Sequence, residues 1–214
     1  MKTESEEMID YKLWKDSFEG WKINRWEIIN FLISKFDYKK YLEIGVMVSN
    51  NFNRISVDIK ESVDPQYEAT HQMTSDLFFD SIEESSKYDI IFIDGLHHSE
   101  QVYRDILNSL DHLNDNGIIV CHDMNPYFEV CQRQDSITDD WNGDCWKAFV
   151  KLRSEKDNLD MCVIDTDWGI GIIKKGKQSI INIPDDIDYW YFSENRKELL
   201  NLMTIDEFYQ KFDL

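Results

Sequence analysis

The chain is poor in glycine, with 8 in 214 residues, and the scarcity falls where a nucleotide-type pocket would need that residue most. Backbone that approaches a bound cofactor normally does so through several glycines. After the apolar stretch Tyr41-Leu42-Glu43-Ile44, only Gly45 is available, a weak signal when taken alone. Cysteine is sparse as well: Cys121, Cys131, Cys145 and Cys162 show no CxxC spacing, and Cys121 and Cys162 fall inside predicted buried strands. That pattern fits reduced thiols of a cytoplasmic protein and argues against a disulfide or zinc framework. Positive charge is also in short supply. Forty-two acidic residues against 23 basic ones give a formal charge of −19, which repels a phosphate backbone and an anionic membrane surface, so neither nucleic acid nor membrane is an expected partner. No stretch approaches the roughly 18 consecutive apolar residues of a membrane span, and the opening MKTESEEMIDYK contains no apolar signal segment. The expectation is a soluble, unexported protein.

What the chain does contain is organised around Lys87 to Asp123. The unbroken apolar run Ile90 to Ile93 stops at Asp94-Gly95 and reads as a strand buried on both faces. Val102, Ile106, Leu110 and Leu113 then recur at helical spacing, with Ser99 and Glu100 to start the helix and Asn116-Gly117 to stop it. A second apolar run, Ile118 to Cys121, ends in His122-Asp123. Strand, helix and strand in succession make a βαβ unit, whose right-handed crossover places both strand ends on one edge of a parallel sheet. Asp94, His97, His98, His122 and Asp123 should therefore converge on the crevice where open α/β sheets bind ligands.

Around this unit the length suits one domain. Residues 1 to about 20 are acidic with scattered aromatics and read as an amphipathic helix or arm, and Trp26 to Phe36 as a helix with Ile29, Leu32, Ile33 and Phe36 on one face. Tyr41 to Val46 is the first strand with its turn. An acidic residue is expected at the end of the second strand, about 20 residues on, to accept hydrogen bonds from ribose. Both Asp58 and Asp64 follow an SV pair, but Asp58 leaves too few residues for turn, helix and return, so Asp64 is preferred. Either aspartate also suits a simple turn before Pro65. Thr70 to Phe79 reads as the end of a third strand running into a helix. Met124 to Asn142 lacks periodicity and is polar, as lids and binding loops are. Asp144 can cap a helix from Cys145 to Arg153, and Met161 to Ile164 with Trp168 to Ile173 form an expected antiparallel hairpin. The tail, with Tyr189 to Phe192 and Asn195 to Phe212, reads as a helical cover.

YLEIGV, NFNRI, SVDP, ATHQMTSDLFF, YDIIFIDGLHHSEQVYRDI, GIIVCHDMNP and WNGDCWKAFVKLR together resemble class I S-adenosylmethionine (SAM)-dependent methyltransferases, in particular the group that includes macrocin-type sugar O-methyltransferases. The resemblance covers roughly residues 38 to 175. It implies a Rossmann-like α/β domain with a seven-stranded, mostly parallel sheet, a C-terminal antiparallel strand and helices on both faces. The domain would run from 1 to 214, with 1–37 a helical arm, 38–175 the cofactor-binding core and 176–214 a cover. By the same resemblance, Glu43 and Gly45 match the first cofactor motif, Asp64 the acidic end of the second strand, and Ser75 and Asp76 the residues beside adenine. Asp94 matches the strand end next to the sulfonium and acceptor, and His97 a histidine common after DGL. His122 and Asp123 match the next strand end. In metal-dependent relatives, carboxylates at these two strand ends bind a divalent cation, so Asp94, His122 and Asp123 form the expected metal set. One departure is that Val48, Ser49 and Asn50 stand where relatives usually carry a second glycine.

Methyl transfer is an in-line displacement at a carbon activated by positive sulfur, so the protein mainly supplies orientation and a base. Asp94, His97 and His98 are the expected catalytic residues, with Mg²⁺ or another divalent cation able to lower the pKa of an acceptor hydroxyl. The acceptor is expected to be a small molecule such as a sugar or glycan precursor, and a homo-oligomer is compatible with the sequence. Two other classes stay open at this point. Asp/His clusters also suit a metal-dependent hydrolase, and the glycine-poor first loop suits a catalytically silent binding domain of the same fold.

Overall fold

The computed structural model describes residues 2–212. Helix α1 (Glu4–Ser17) starts with a capping box in which Thr3 and Glu6 satisfy each other's backbone N–H groups. Helix α2 (Arg25–Phe36) buries Ile28, Ile29, Leu32 and Ile33 but leaves Phe36 at the rim. The chain continues through β1 (Lys40–Ile44), β2 (Ile59–Val63), α3 (Ser75–Ser81), β3 (Tyr88–Ile93), α4 (Ser99–Asp111) and β4 (Leu113–Cys121). It ends with α5 (Cys145–Glu155), β5 (Leu159–Ile164), β6 (Ile170–Lys175), α6 (Tyr189–Leu199), β7 (Leu202–Met203) and α7 (Ile205–Phe212).

The strands form one seven-stranded sheet in the order β2-β1-β3-β4-β6-β5-β7. Every pairing is parallel except those of β6, which is antiparallel to both β4 and β5. Successive strand residues point to opposite faces, and both faces are covered. Leu42, Ile91, Ile93 and Ile119 pack with α3, α4, α5 and α6, while Tyr41, Ile90, Phe92 and Ile118 pack with α2 and α7. This is why β3 reads as a continuous apolar run. All four cysteines are free and buried. Among the described residues, no helix is long and apolar enough to cross a membrane.

The structure departs from the sequence reading at four points. The β1–β2 connection holds only the 3-10 turn Phe52–Arg54 and no α-helix; its serine and asparagines favour turns over helix. The expected third strand shrinks to a single bridge, Val63 to His71, because Ser62 and Thr70 exchange side-chain-to-backbone bonds in place of a ladder. The sheet still reaches seven strands through β7. Helix α4 ends at Asp111, so Leu113 belongs to β4, and Asn116-Gly117 lies in a bulge where the pairing steps from Tyr88–Leu113 to Ile90–Ile118. Asp144 precedes α5 as expected, but its side chain makes no cap bond to it. Its carboxylate instead accepts from Ser99 N (2.7 Å) and Ser99 Oγ (3.1 Å), tying the start of α4 to that of α5.

Candidate active site

Parallel pairing of β2, β1, β3 and β4 brings Asp64, Glu43–Gly45, Asp94 and His122–Asp123 to one sheet edge. A cavity of about 880 Å³ opens there, within the size range of small-molecule sites. Because β6 is antiparallel to both β4 and β5, the β5–β6 turn returns to that edge and adds Asp167 and Trp168 to the wall.

On one side of the cavity the β1 turn is held without a second glycine. Gly45 has φ +85°, and a Cβ there would lie 2.2 Å from the carbonyl oxygen of Asp94, so β1 and β3 meet too closely for any other residue. Beyond it, Met47 (φ 46°) and Ser49 (φ 58°) take left-handed conformations themselves. Asp64 organises this turn. One carboxylate oxygen accepts from Val46 N (3.0 Å) and Met47 N (3.3 Å), and the other from Gln66 N (2.8 Å) and Tyr67 N (2.9 Å). Burial alone would raise its pKa, but these backbone donors pull it below the ordinary value. Asp58, by contrast, is an exposed neighbour of Lys39 and does not line the cavity.

Glu43 is 1% exposed and accepts from Tyr41 Oη and from Asn51 Nδ2 (2.9 Å). Burial outweighs those bonds and lifts it to about 7. Asn51 Oδ1 is buried without a partner. Ser75 is buried and lines the cavity, whereas Asp76 lies outside it, partly exposed and bonded by Gln101 Nε2 (3.1 Å). The same Gln101 nitrogen reaches Asp105 (3.0 Å), a lining carboxyl that is 1% exposed and that burial raises to about 6.

On the other side, His97 Nε2 lies 3.3 Å from Asp94 Oδ1 and 3.4 Å from Asp123 Oδ2. Its Nδ1 faces the carbonyl oxygen of Trp141 at 2.9 Å, so that nitrogen carries a proton. Burial would lower the His97 pKa; Asp123 and Asp94 outweigh it and lift the value to about 9. His122 Nδ1 is 3.2 Å from Asp94 Oδ1 and 3.0 Å from Asp123 Oδ2. Burial pushes Asp94 up, but His122, His97 and Arg25 hold it well below the usual carboxylate range. Asp123 takes φ 64°, a strained conformation for a non-glycine residue at a strand end. Asn142 donates to it from Nδ2. Ligand atoms of Asp94, His97 and Asp123 lie within 4.8 Å of one another, a spacing that can hold a metal ion.

The sequence reading missed Arg25. It stands in the first turn of α2, takes Asp167 on both its backbone N (2.8 Å) and Nη1 (3.1 Å), and reaches Asp94 at 3.8 Å. Its Nη1 is 2.8 Å from His122 Nε2. A contact that short admits one proton, the arginine's, so His122 carries its own on Nδ1 and donates toward Asp94 and Asp123. Asp123, Asp94 and Asp167 work the other way, raising the proton affinity of His122 over the opposing effects of burial and Arg25, and Asp167 Oδ1 lies 3.4 Å from the same Nε2. His98 is not drawn in: it precedes α4 as its N-cap, stands edge-on to Trp141 and does not line the cavity.

A cover closes this side. Tyr11 donates to Asp140 (2.9 Å), Lys15 pairs with the same carboxylate, and Glu7 accepts from Glu129 N (3.2 Å). These contacts fasten α1 over the Met124–Asn142 segment, beside an aromatic cluster of Trp14, Trp21, Tyr127, Phe128 and Trp168. Gly143 (φ +58°) passes under His97 so closely that a Cβ would lie 1.8 Å from its carbonyl oxygen.

Residues 29–124 match the family described as a methyltransferase domain. No curated protein sequence matches the chain. Among solved structures, an O-methyltransferase from Bacillus cereus in complex with S-adenosylhomocysteine (SAH) is similar at 12% identity and a TM-score of 0.55, over 82% of this chain and 92% of that one. The O-methyltransferase TomG of Streptomyces achromogenes, in complex with SAM, is similar at 10% identity and a TM-score of 0.52, over 82% and 91%. SAH-bound PaMTH1 of Podospora anserina gives 13%, 0.50, 83% and 98%. At these identities the likeness speaks for architecture, and the chain has the Rossmann-like α/β fold of methyltransferases.

Proposed function

We propose that the chain is a SAM-dependent O-methyltransferase acting on a hydroxyl of a sugar or similarly polar small molecule. The observation that carries this reading is the Asp94–His97–His122–Asp123 cluster, which faces the same cavity as Glu43, Gly45 and Asp64. The residues present fit the cofactor. Asn51 Oδ1, buried and unpartnered beside Glu43, is an acceptor that a methionine ammonium would satisfy. Asp64, whose two oxygens accept four backbone N–H bonds, holds the turn on which ribose would rest, and Ser75 lines the same cavity, with Asp76 immediately outside. Asp94, held ionised, faces the region where a cationic sulfonium is favoured.

The residues also fit a divalent cation. Two carboxylates and an imidazole whose other nitrogen donates to a carbonyl form a recurrent ligand arrangement. Asp94, His97 and Asp123 would hold the ion, which would lower the pKa of an acceptor hydroxyl bound to it. His122 donates to both carboxylates and fixes their orientation. His97 carries a proton up to about pH 9 when no ion is bound, so an ion at its Nε2 would have to displace that proton, and the bound ion would then assist the acceptor hydroxyl in place of a histidine base. Thermal-shift titration tests the reading. SAM or SAH at about 100 times its dissociation constant should stabilise the protein by about 2.7 kcal/mol, and absence of any shift with either would remove it.

A further inference from the structure

The acceptor half of the cavity carries a chemical bias of its own. Its wall includes the carboxylates of Asp94, Asp123, Asp139, Asp140 and Asp167. Arg25 is the one lysine or arginine among the described lining residues of the whole cavity; its charge faces Asp94 and Asp167, while its Nε is buried without a hydrogen-bond partner. Lys15 binds Asp140 from α1. Asp139 is exposed and has no partner among the described residues, so its carboxylate is free to pair with a bound cation. A separate observation also points to a ligand: Asn142, 1% exposed and lining the cavity, keeps Oδ1 buried and unbonded while Nδ2 is engaged by Asp123. A buried carbonyl oxygen left alone is costly, and a donor from a bound molecule removes the cost. The remaining wall is aromatic, from Trp21, Trp141 and Trp168, and tryptophan faces attract cations.

Resting on the methyltransferase reading, we propose that the acceptor is a cation, with a protonated amino group near the hydroxyl that is methylated, as in an amino sugar or amino alcohol. An ammonium group brings the positive charge that Asp139 and the tryptophans favour and up to three N–H donors for acceptors such as Asn142 Oδ1. A phosphate-bearing acceptor, such as a nucleotide-linked sugar or a coenzyme A thioester, finds no lysine or arginine among these lining residues that is free of a carboxylate, and meets the unpaired carboxylate of Asp139 instead.

Calorimetry on the full chain with saturating SAH tests this, using methyl glucosaminide, its N-acetyl derivative and glucose 6-phosphate as probes. The amine is expected to bind about tenfold more tightly than the neutral acetamide, the scale of one ion pair at a partly exposed site, and the phosphate not at all. Asp139→Asn should cut the preference for the amine about threefold, as should raising NaCl from about 0.05 to about 0.5 M. Equal affinity for amine and acetamide, tighter binding of the phosphate, or no binding of the amine while SAH is bound would each overturn the proposal. The SAH titration is its own control: loss of SAH binding strikes at the methyltransferase reading, whereas bound SAH without amine preference strikes at this proposal alone.

Discussion

Arg25 and His122, 97 positions apart in the chain, meet at 2.8 Å between Nη1 and Nε2, and this contact opposes a proton on Nε2 of His122. Replacing Arg25 by Met should let His122 protonate on both nitrogens and leave Asp167 without its guanidinium. Breaking such a partly buried charge network costs about 2–3 kcal/mol. Urea unfolding at neutral pH would measure it. A midpoint unchanged from the parent protein would show that the contact contributes nothing.

Asp64 and Asp58 give a paired comparison. Asp64→Ala removes the acceptor of four backbone N–H groups and should weaken SAH binding by about 1.5–3 kcal/mol, the range for hydrogen bonds to a charged group. Asp58→Ala, at an exposed position beside Lys39, should leave SAH affinity unchanged. The reverse ranking in calorimetry would reassign the second strand's acidic residue.

Much of this site was legible in the sequence, for a physical reason. A strand buried on both faces seldom carries an ionised carboxylate, so the abrupt ends Ile93-Asp94 and Cys121-His122-Asp123 mark the sheet's ligand edge. The hairpin between Ile164 and Ile170 also contained a signal that went unread: if β5 runs parallel to β4, its turn must land at that same edge, with Asp167 and Trp168 in it. Arg25 left no such trace, because its role comes from where α2 docks and not from any local pattern. Asn51 and Asn142 lie in segments without periodicity, and only the fold shows that each keeps a buried oxygen unbonded. Asp76 and His98 adjoin cavity residues in sequence, yet the first turn of α3 and the start of α4 place both outside it.

A divalent ion should bind between Asp94, His97 and Asp123 and displace the proton that His97 otherwise keeps up to about pH 9. Affinity should therefore rise between about pH 6.5 and about pH 8.5, by up to about tenfold per pH unit for one proton released. Titrations with MgCl₂ and MnCl₂ after chelation would show it. Asp94→Asn and Asp123→Asn should each abolish binding, and turnover that survives exhaustive chelation would remove the ion from the reaction.

Asp105 should give a pH-dependent stability change of opposite sense to an ordinary surface carboxylate. Burial raises it from 3.8 to about 6, so its contribution is full below about pH 3.8 and lost as pH rises through 6. Asp105→Asn cannot ionise. It should exceed the parent protein by about 2–3 kcal/mol at about pH 7.5, since each tenfold change in proton affinity is worth about 1.36 kcal/mol, and the gap should close by about pH 4. A gap that does not change with pH would refute the assignment.

The α1 clasp on Asp140 should control access to the segment beneath it. Trypsin cleavage after Arg133 should accelerate in the double variant Tyr11→Phe, Lys15→Ala and slow when SAH and an acceptor probe are present. Cleavage at one rate under all three conditions would separate the clasp from ligand binding.

The close passage of Gly143 under His97 has a consequence for the order in which the site matures. The Glu43, Asp64 and Ser75 half is assembled from strands that neighbour one another early in the chain. His97 is backed by a glycine 46 positions later, which passes beneath its carbonyl at a separation that excludes any side chain. A folding intermediate in which residues 124–143 are still undocked would thus own a competent cofactor groove and no defined acceptor chamber. Gly143→Ala should hold the chain near that state, trapping a protein that recognises SAH yet has lost the divalent-ion affinity of the mature site.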